Sequence, residues 1–189
     1  SSMKSINSIK QKKNDVNFTT GVSINNLSLN ENDIGEFKTF LKLSPPLRTE
    51  EDRISLIDAI NKNLIDVIVS DHKPEDEESK RLTFSQAATG ASGIETLLSL
   101  SLELVHNGSV KLNQIIKLLT SNPAKILKID KGNLSIGNDA DFCIVDLYKP
   151  WVVKEEKMIS KSKNTCIDGK KLQGIVTSTF VKGEELFKI

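Results

Sequence analysis

A chain of 189 residues with 38% hydrophobic and 27% charged residues is long enough for one large domain, or one and a fraction, around a real apolar core. Its formal net charge of +1, with lysines and acids interspersed, excludes a basic field for nucleic acid and an acidic one for a cationic partner. No apolar run approaches the roughly 18 residues a membrane span needs; the Lys-, Ser- and Asn-rich start is no secretory signal, and Cys143 and Cys166, outside any C-x-x-C spacing, fit a reducing cytoplasm rather than a thiolate metal site.

In chain order, Ser5 to Lys13 reads as a short amphipathic helix with Ile6 and Ile9 on one side, and Val16 to Val22 as a strand. Helix then strand is half of a repeating βα unit, so the chain is expected to open in the middle of an α/β array. Ser44-Pro45-Pro46-Leu47-Arg48 is a rigid loop, because two prolines remove two donors and fix an extended path. Thr49-Glu50-Glu51-Asp52 starts a helix with a capping-box-like pattern and a stripe of Ile54, Ile57 and Ile60. The strand Val67 to Ser70 follows, which establishes α/β alternation. Glu75 to Arg81 reads as a solvated charged loop. Thr89-Gly90-Ala91-Ser92-Gly93 leads into an apolar helix from Ile94 to Asn107, and further helices are expected over Leu112 to Leu119 and from Ser121, with Pro123 near the start. From Gly132 the texture changes to strands and glycine turns: Asp141 to Leu147, Trp151 to Val153, and Ile175 to Val181 before the turn at Lys182-Gly183-Glu184. The expected division is an α/β body over 1–131 and a small β-unit over 132–189.

The stretch most charged with chemistry is Val67 to Pro74. Its β-branched run reads as a buried strand that stops at Ser70-Asp71-His72, and this places Asp71 and His72 at the carboxyl end of a strand, the edge where parallel α/β folds gather reacting groups. The plainer alternative is that Asp71 caps the next turn and His72 packs against it. His106, near a helix C-terminus, reads as structural; Cys143, in an apolar strand, as a small core residue; Cys166 as exposed; and Trp151 as an anchor of the β-unit.

Asn122-Pro123-Ala124, then Gly132, Gly137 and Asp139-Ala140-Asp141-Phe142, resemble the C-terminal signature of the cyclic amidohydrolases. Upstream, Ser44-Pro45-Pro46-Leu47-Arg48, Glu51-Asp52-Arg53, Ser70-Asp71-His72, Gly93-Ile94-Glu95-Thr96 and the tail Ser160 to Thr165 fall in the order and spacing of the dihydroorotase family. The resemblance implies the C-terminal portion of a TIM-type (β/α) barrel plus a small β-sandwich unit. It also implies zinc as cofactor and the interconversion of carbamoyl-aspartate and dihydroorotate in cytoplasmic pyrimidine synthesis. By the same match Asp71 is the metal-binding, proton-shuttling aspartate, and Ser44, Glu75 and Gly90 stand at substrate-contacting positions.

The departures from that family are specific. The paired metal-binding histidines and the substrate arginine have no counterpart, Ser44 replaces an asparagine, Ile24-Asn25-Asn26 replaces a proline and two histidines, and Glu75 replaces a histidine that faces the substrate carboxylate. A complete zinc site is therefore not encoded in these residues. One expectation is part of a dihydroorotase whose other ligands lie elsewhere; the alternative is a catalytically inactive structural subunit, for example a partner of aspartate transcarbamoylase. An open edge at Val16 to Val22 leads to the expectation that the isolated chain associates with itself or with a complementary N-terminal fragment.

Overall fold

A computed structural model describes residues 1–13 and 15–189. The chain forms two compact units, Ser1–Leu97 with Val152–Lys170, and Leu98–Trp151 with Lys171–Ile189. The change of texture near Lys131 falls inside the second unit, and residues 152–170 return to the first.

The first unit starts with helix α1 (Met3–Lys12), capped where the Ser2 hydroxyl accepts the Ser5 N–H, and continues into strand β1 (Gly21–Ser23) and the short helix α2 (Ile24–Ser28). Helix α3 (Glu50–Asn61) is capped by Thr49, whose side chain accepts the Asp52 N–H. Its acidic first turn complements the positive end of the helix dipole. The buried stripe of α3 is Leu56, Ile57, Ala59 and Ile60, whereas the expected Ile54 is 54% exposed; the apolar face is rotated by the packing of α2 and α1 against it. Ile24, Leu27 and Ile60 are fully buried, and each such side chain contributes about 1.5–3 kcal/mol.

Strand β2 (Val67–Val69) pairs in parallel with β1 in the register Gly21↔Val67, Val22↔Ile68 and Ser23↔Val69. The strand expected over Val16 to Val22 is thus shorter and shifted. Its start is set by Asp66, whose carboxylate accepts the Thr20 N–H at 2.8 Å and the Thr20 hydroxyl at 2.9 Å, while Thr20 O accepts the N–H groups of Asp66 and Val67. Val16 is exposed.

Glu75 to Arg81 is solvated at Asp76, Glu77, Glu78 and Arg81, but it is not a loop throughout. It contains the helical turn α4 (Glu77–Lys80), capped by Asp76, whose carboxylate accepts the Ser79 N–H at 2.8 Å. Lys80 is 2% exposed and its amine donates to Thr39 O and Ala88 O; burial lowers the pKa of that amine from its ordinary value. These two bonds let the ammonium replace water with carbonyls, which is how a lysine is tolerated there. Cys166, expected to be exposed, is half-buried: its thiol donates to Phe40 O at 3.1 Å, and burial pushes its pKa up to about 12.

In the second unit, helix α5 (Leu97–His106) buries Ser99, Leu100, Ser101, Leu102 and Leu104. Trp151 Nε1–H donates to the Ser99 hydroxyl at 3.1 Å, which in turn donates to Gly174 O at 2.6 Å. His106 stacks on Tyr148 with centroids 5.6 Å apart. Helices α6 (Leu112–Leu119) and α7 (Ser121–Leu127) follow, and Lys128 in the left-handed region stops α7. Strands β3 (Phe142–Val152), β4 (Lys171–Val181) and β5 (Glu184–Lys188) form a sheet in that order. The two strands expected at Asp141 to Leu147 and Trp151 to Val153 are one: β3 lies at the sheet edge, the position in a sheet where a proline such as Pro150 is tolerated. Cys143 on this edge strand is exposed rather than in the core. Lys182 and Gly183, both with positive φ, close the tight β4–β5 hairpin. Among the described residues no helix is long and apolar enough to cross a membrane.

Candidate active-site edge

Because β1 and β2 are parallel and end in register at Ser23 and Val69, the chain leaves both strands at the same edge. Asn25 follows β1 by two residues and Asp71 follows β2 by two. Asp71 has φ of 50°, a left-handed backbone that an aspartate tolerates better than most residues but that still stores strain at the strand end. The residue is half-buried.

The next residues clamp this turn to the loop at 90–94. His72 forms an isolated parallel bridge with Ala91, and the Lys73 N–H donates to Ala91 O at 2.9 Å. His72 Nδ1 accepts the Gly93 N–H at 3.1 Å and the Ile94 N–H at 3.4 Å, so the ring is oriented by backbone and its Nε2 is the nitrogen left to donate. Two glycines make the approach possible. A Cβ on Gly90, whose φ is 136°, would stand 2.6 Å from Lys73 O, and a Cβ on Gly93 would stand 2.6 Å from Ser70 O. The close approach that Gly90 permits is of one backbone to another.

The other residues singled out in the sequence gather around the same loop. Gly90 N–H donates to Lys42 O at 3.0 Å, which ties the Gly90 turn to the segment carrying Ser44; Ser44 itself is exposed, before the cis peptide to Pro45. Gly90 O accepts from Asn164 Nδ2 at 3.1 Å, so both backbone groups of Gly90 hold partners within the protein, the carbonyl keeping one further lone pair. Glu75 pairs with Lys73 Nζ at 3.0 Å, and that ammonium also donates to Thr89 O at 2.7 Å. The pair offsets the charge that Glu75 would otherwise present. Glu75 also lines a cleft of about 690 Å³ with Phe40, Glu155, Lys161 and Asn164.

Two positioning residues carry no signal that a single sequence reveals. Glu95 accepts the N–H groups of Ile159 and Ser160, each at 3.0 Å, and holds the 159–160 segment. Asn164 is 3% exposed and touches both the Glu75 turn and the Gly90 loop. Both lie in stretches that the sequence marks only as segments of a family pattern, because partners 64 to 89 positions apart leave no local periodicity.

For a metal, the donor set is incomplete. Among the described residues no three His, Cys, Asp or Glu side chains cluster as an ion would require. Asp71 offers one carboxylate, His72 Nδ1 is engaged by two amides, and Asn25, 4% exposed with its Nδ2 unpartnered, brings an amide rather than an imidazole to the β1 end. These side chains do not compose a zinc site. What the edge can do by itself is hold one carboxylate rigidly beside a backbone loop.

Among solved structures, L-hydantoinase (dihydropyrimidinase) from Arthrobacter aurescens superposes on all of this chain with TM-score 0.94 and 28% identity, using 43% of its own length. The dihydropyrimidinase from Brevibacillus agri does so with TM-score 0.91 at 22% identity. The dihydroorotase of Ehrlichia canis is 40% identical over 188 residues, 99% of this chain and 42% of that protein, and the dihydroorotase of a Thermoanaerobacter species is 38% identical over 178 residues. The chain thus spans about two fifths of the length of these relatives. It has an α/β amidohydrolase fold, and with the amidohydrolase family matched from residue 2 to residue 186, it belongs to that family.

Proposed function

We propose that this chain forms the Asp71 edge of a cyclic amidohydrolase that interconverts dihydroorotate and carbamoyl-aspartate. The observation that carries the reading is Asp71 itself: a half-buried aspartate held at φ 50° just past a parallel strand, in a chain 40% identical to a protein named dihydroorotase. In hydrolysis a water oxygen adds to the ring carbonyl carbon, the ring C–N bond breaks, and the nitrogen must gain a proton. Asp71 accepts the proton of the attacking water and returns it to the departing nitrogen, a task that suits a carboxylate held within reach of both atoms. The turn at Gly90 and the Ser44 loop flank the ring, and the remaining lone pair of the Gly90 carbonyl is available to a ring N–H. The Lys73–Glu75 pair lies at the side where the substrate carboxylate approaches.

Residues 1–131 belong, in this reading, to part of a TIM-type barrel. The strands within residues 132–189 belong to a β-sandwich unit whose second sheet covers the exposed Phe142, Ile144 and Phe187, while 152–170 pack with the first unit. Zinc is the cofactor expected for the family; of the residues here Asp71 is the one that would contribute a ligand, and the metal would supply Lewis-acid polarisation of a carbonyl. The setting is cytoplasmic pyrimidine synthesis.

The test is dihydroorotate hydrolysis by the complete gene product and its Asp71→Asn variant, with zinc content measured alongside. Asparagine keeps the left-handed backbone, so folding is retained. The expected loss in kcat is about 10²–10⁴-fold. A folded Asp71→Asn protein with undiminished turnover sinks the assignment of Asp71, and a folded wild type that neither binds zinc nor opens the ring leaves the inactive structural subunit as the better account.

A further inference from the structure

Asn164 lies 93 residues past Asp71 in sequence, is 3% exposed, and uses both ends of its amide on the two segments that define the edge. Its Nδ2–H donates to Gly90 O at 3.1 Å. Its Oδ1 accepts the Glu75 N–H at 3.3 Å and lies 3.3 Å from the Ser92 hydroxyl, and it also accepts from the Ser162 hydroxyl. Its backbone carbonyl accepts the Ser92 N–H at 3.1 Å. Ser92 in turn lies 3.0 Å from Ser162 O, and the Ser162 hydroxyl also reaches Glu75 O. One buried side chain therefore bridges the turn that follows Asp71 and the loop that carries Gly90, and all of these groups lie within the first unit.

We infer that Asn164 is a positioning residue for the cyclic-amide reaction: it sets the separation between the Asp71 turn and the Gly90 loop, and with it the width available to the ring. The inference rests on the functional reading above. An amide is suited to the task because one end donates while the other accepts, and the two segments present opposite needs: a carbonyl at Gly90 and an N–H at Glu75. Aspartate has the same shape but no donor, so it would set an oxygen against Gly90 O and drive the loop outward. Alanine would leave the carbonyl and the N–H both unpartnered in a buried place. Asn164 does not touch the reacting atoms in this scheme. It acts through Gly90 and Ser92, and a shift of that loop on the order of 1 Å is enough to lower turnover efficiency about 10²-fold.

The experiment compares wild type, Asn164→Asp and Ser162→Ala in the complete gene product by steady-state hydrolysis of dihydroorotate, by thermal unfolding, and by hydrogen exchange at the amides of Glu75, Ser92 and Gly93. In a folded Asn164→Asp protein the expected result is a KM raised about 10²-fold with kcat lowered less, together with faster exchange at Ser92 and Gly93. Ser162→Ala, which removes one hydroxyl and keeps the bridge, is expected to shift KM in the same direction by less than about tenfold. A merely structural role would reduce the folded fraction and therefore kcat, leaving KM of the surviving enzyme unchanged, and that result overturns the inference. If Asn164→Asp does not fold, an unmoved KM and unchanged exchange in Ser162→Ala overturn it as well. If wild type hydrolyses no cyclic amide, the functional reading fails on that measurement alone. Exchange at Ser92 and Gly93 then decides whether Asn164 holds the loop.

Discussion

At the scale of single residues, the edge depends on two glycines with different reasons to be glycine. Gly93 is needed for space, since a methyl would stand 2.6 Å from Ser70 O, and Gly90 is needed for space and for its φ of 136°. Gly90→Ala and Gly93→Ala are each expected to cost about 1–3 kcal/mol of stability by chemical denaturation. Gly108→Asn is the matched control, with φ of 74° and open space around it, and its expected cost is under about 0.5 kcal/mol. Equal losses at all three positions would show that the close approach of the two backbones is not what constrains Gly90 and Gly93. Asp71 was legible from the sequence because a β-branched run followed by Ser-Asp-His and Lys-Pro can only be a strand that stops. The engagement of His72 Nδ1 by Gly93 and Ile94 was not, since it depends on a loop 21 and 22 residues away folding back onto that strand end.

At the scale of elements, the helix α3 shows how a terminus is built from both sides. Glu50 in its first turn accepts from Arg53 Nη2 at 2.5 Å and Nε at 2.7 Å, and from Asn30 Nδ2 at 2.8 Å. These bonds, that with Arg53 first, hold the Glu50 carboxyl well below its ordinary value, to about 2. A depressed folded-state pKa stabilises above the unfolded value near 4.5 and loses that contribution as pH falls toward about 2. Thermal midpoints measured from pH 5 downward should therefore fall, and the Glu50→Gln variant should show a shallower fall across the same window. Because Glu50 is partly open to solvent, the difference is modest and shrinks with added salt. Identical slopes for the two proteins would remove Glu50 from the account. The bounds of α6 were readable to the residue from its apolar period, whereas the strand before β2 was over-extended, since nothing local announces that Asp66 fixes where pairing begins.

At the scale of the whole molecule, the three-stranded sheet leaves Phe142, Ile144, Leu186 and Phe187 exposed, among other large apolar residues. Exposed apolar surface on a sheet is a driving force for association. The polypeptide 1–189 prepared by itself is expected to associate in a concentration-dependent way in sedimentation velocity, with Ile144→Lys and Phe187→Lys together reducing it. A monodisperse monomer across micromolar concentrations would argue against that. The sequence by itself determined the α/β class, the family pattern, most helices and the carboxyl-end position of Asp71, because propensity, apolar period and turn chemistry act between near neighbours. The tertiary structure alone decided that Lys80 is buried on carbonyls, that Glu75 is paired with Lys73, that Gly90 is held at both backbone groups, and that Asn164 bridges two segments 74 and 89 positions away. Each of these is a hydrogen bond or ion pair between distant segments, and a polar group's partner is set by which surfaces the fold brings together rather than by the residues beside it in the chain.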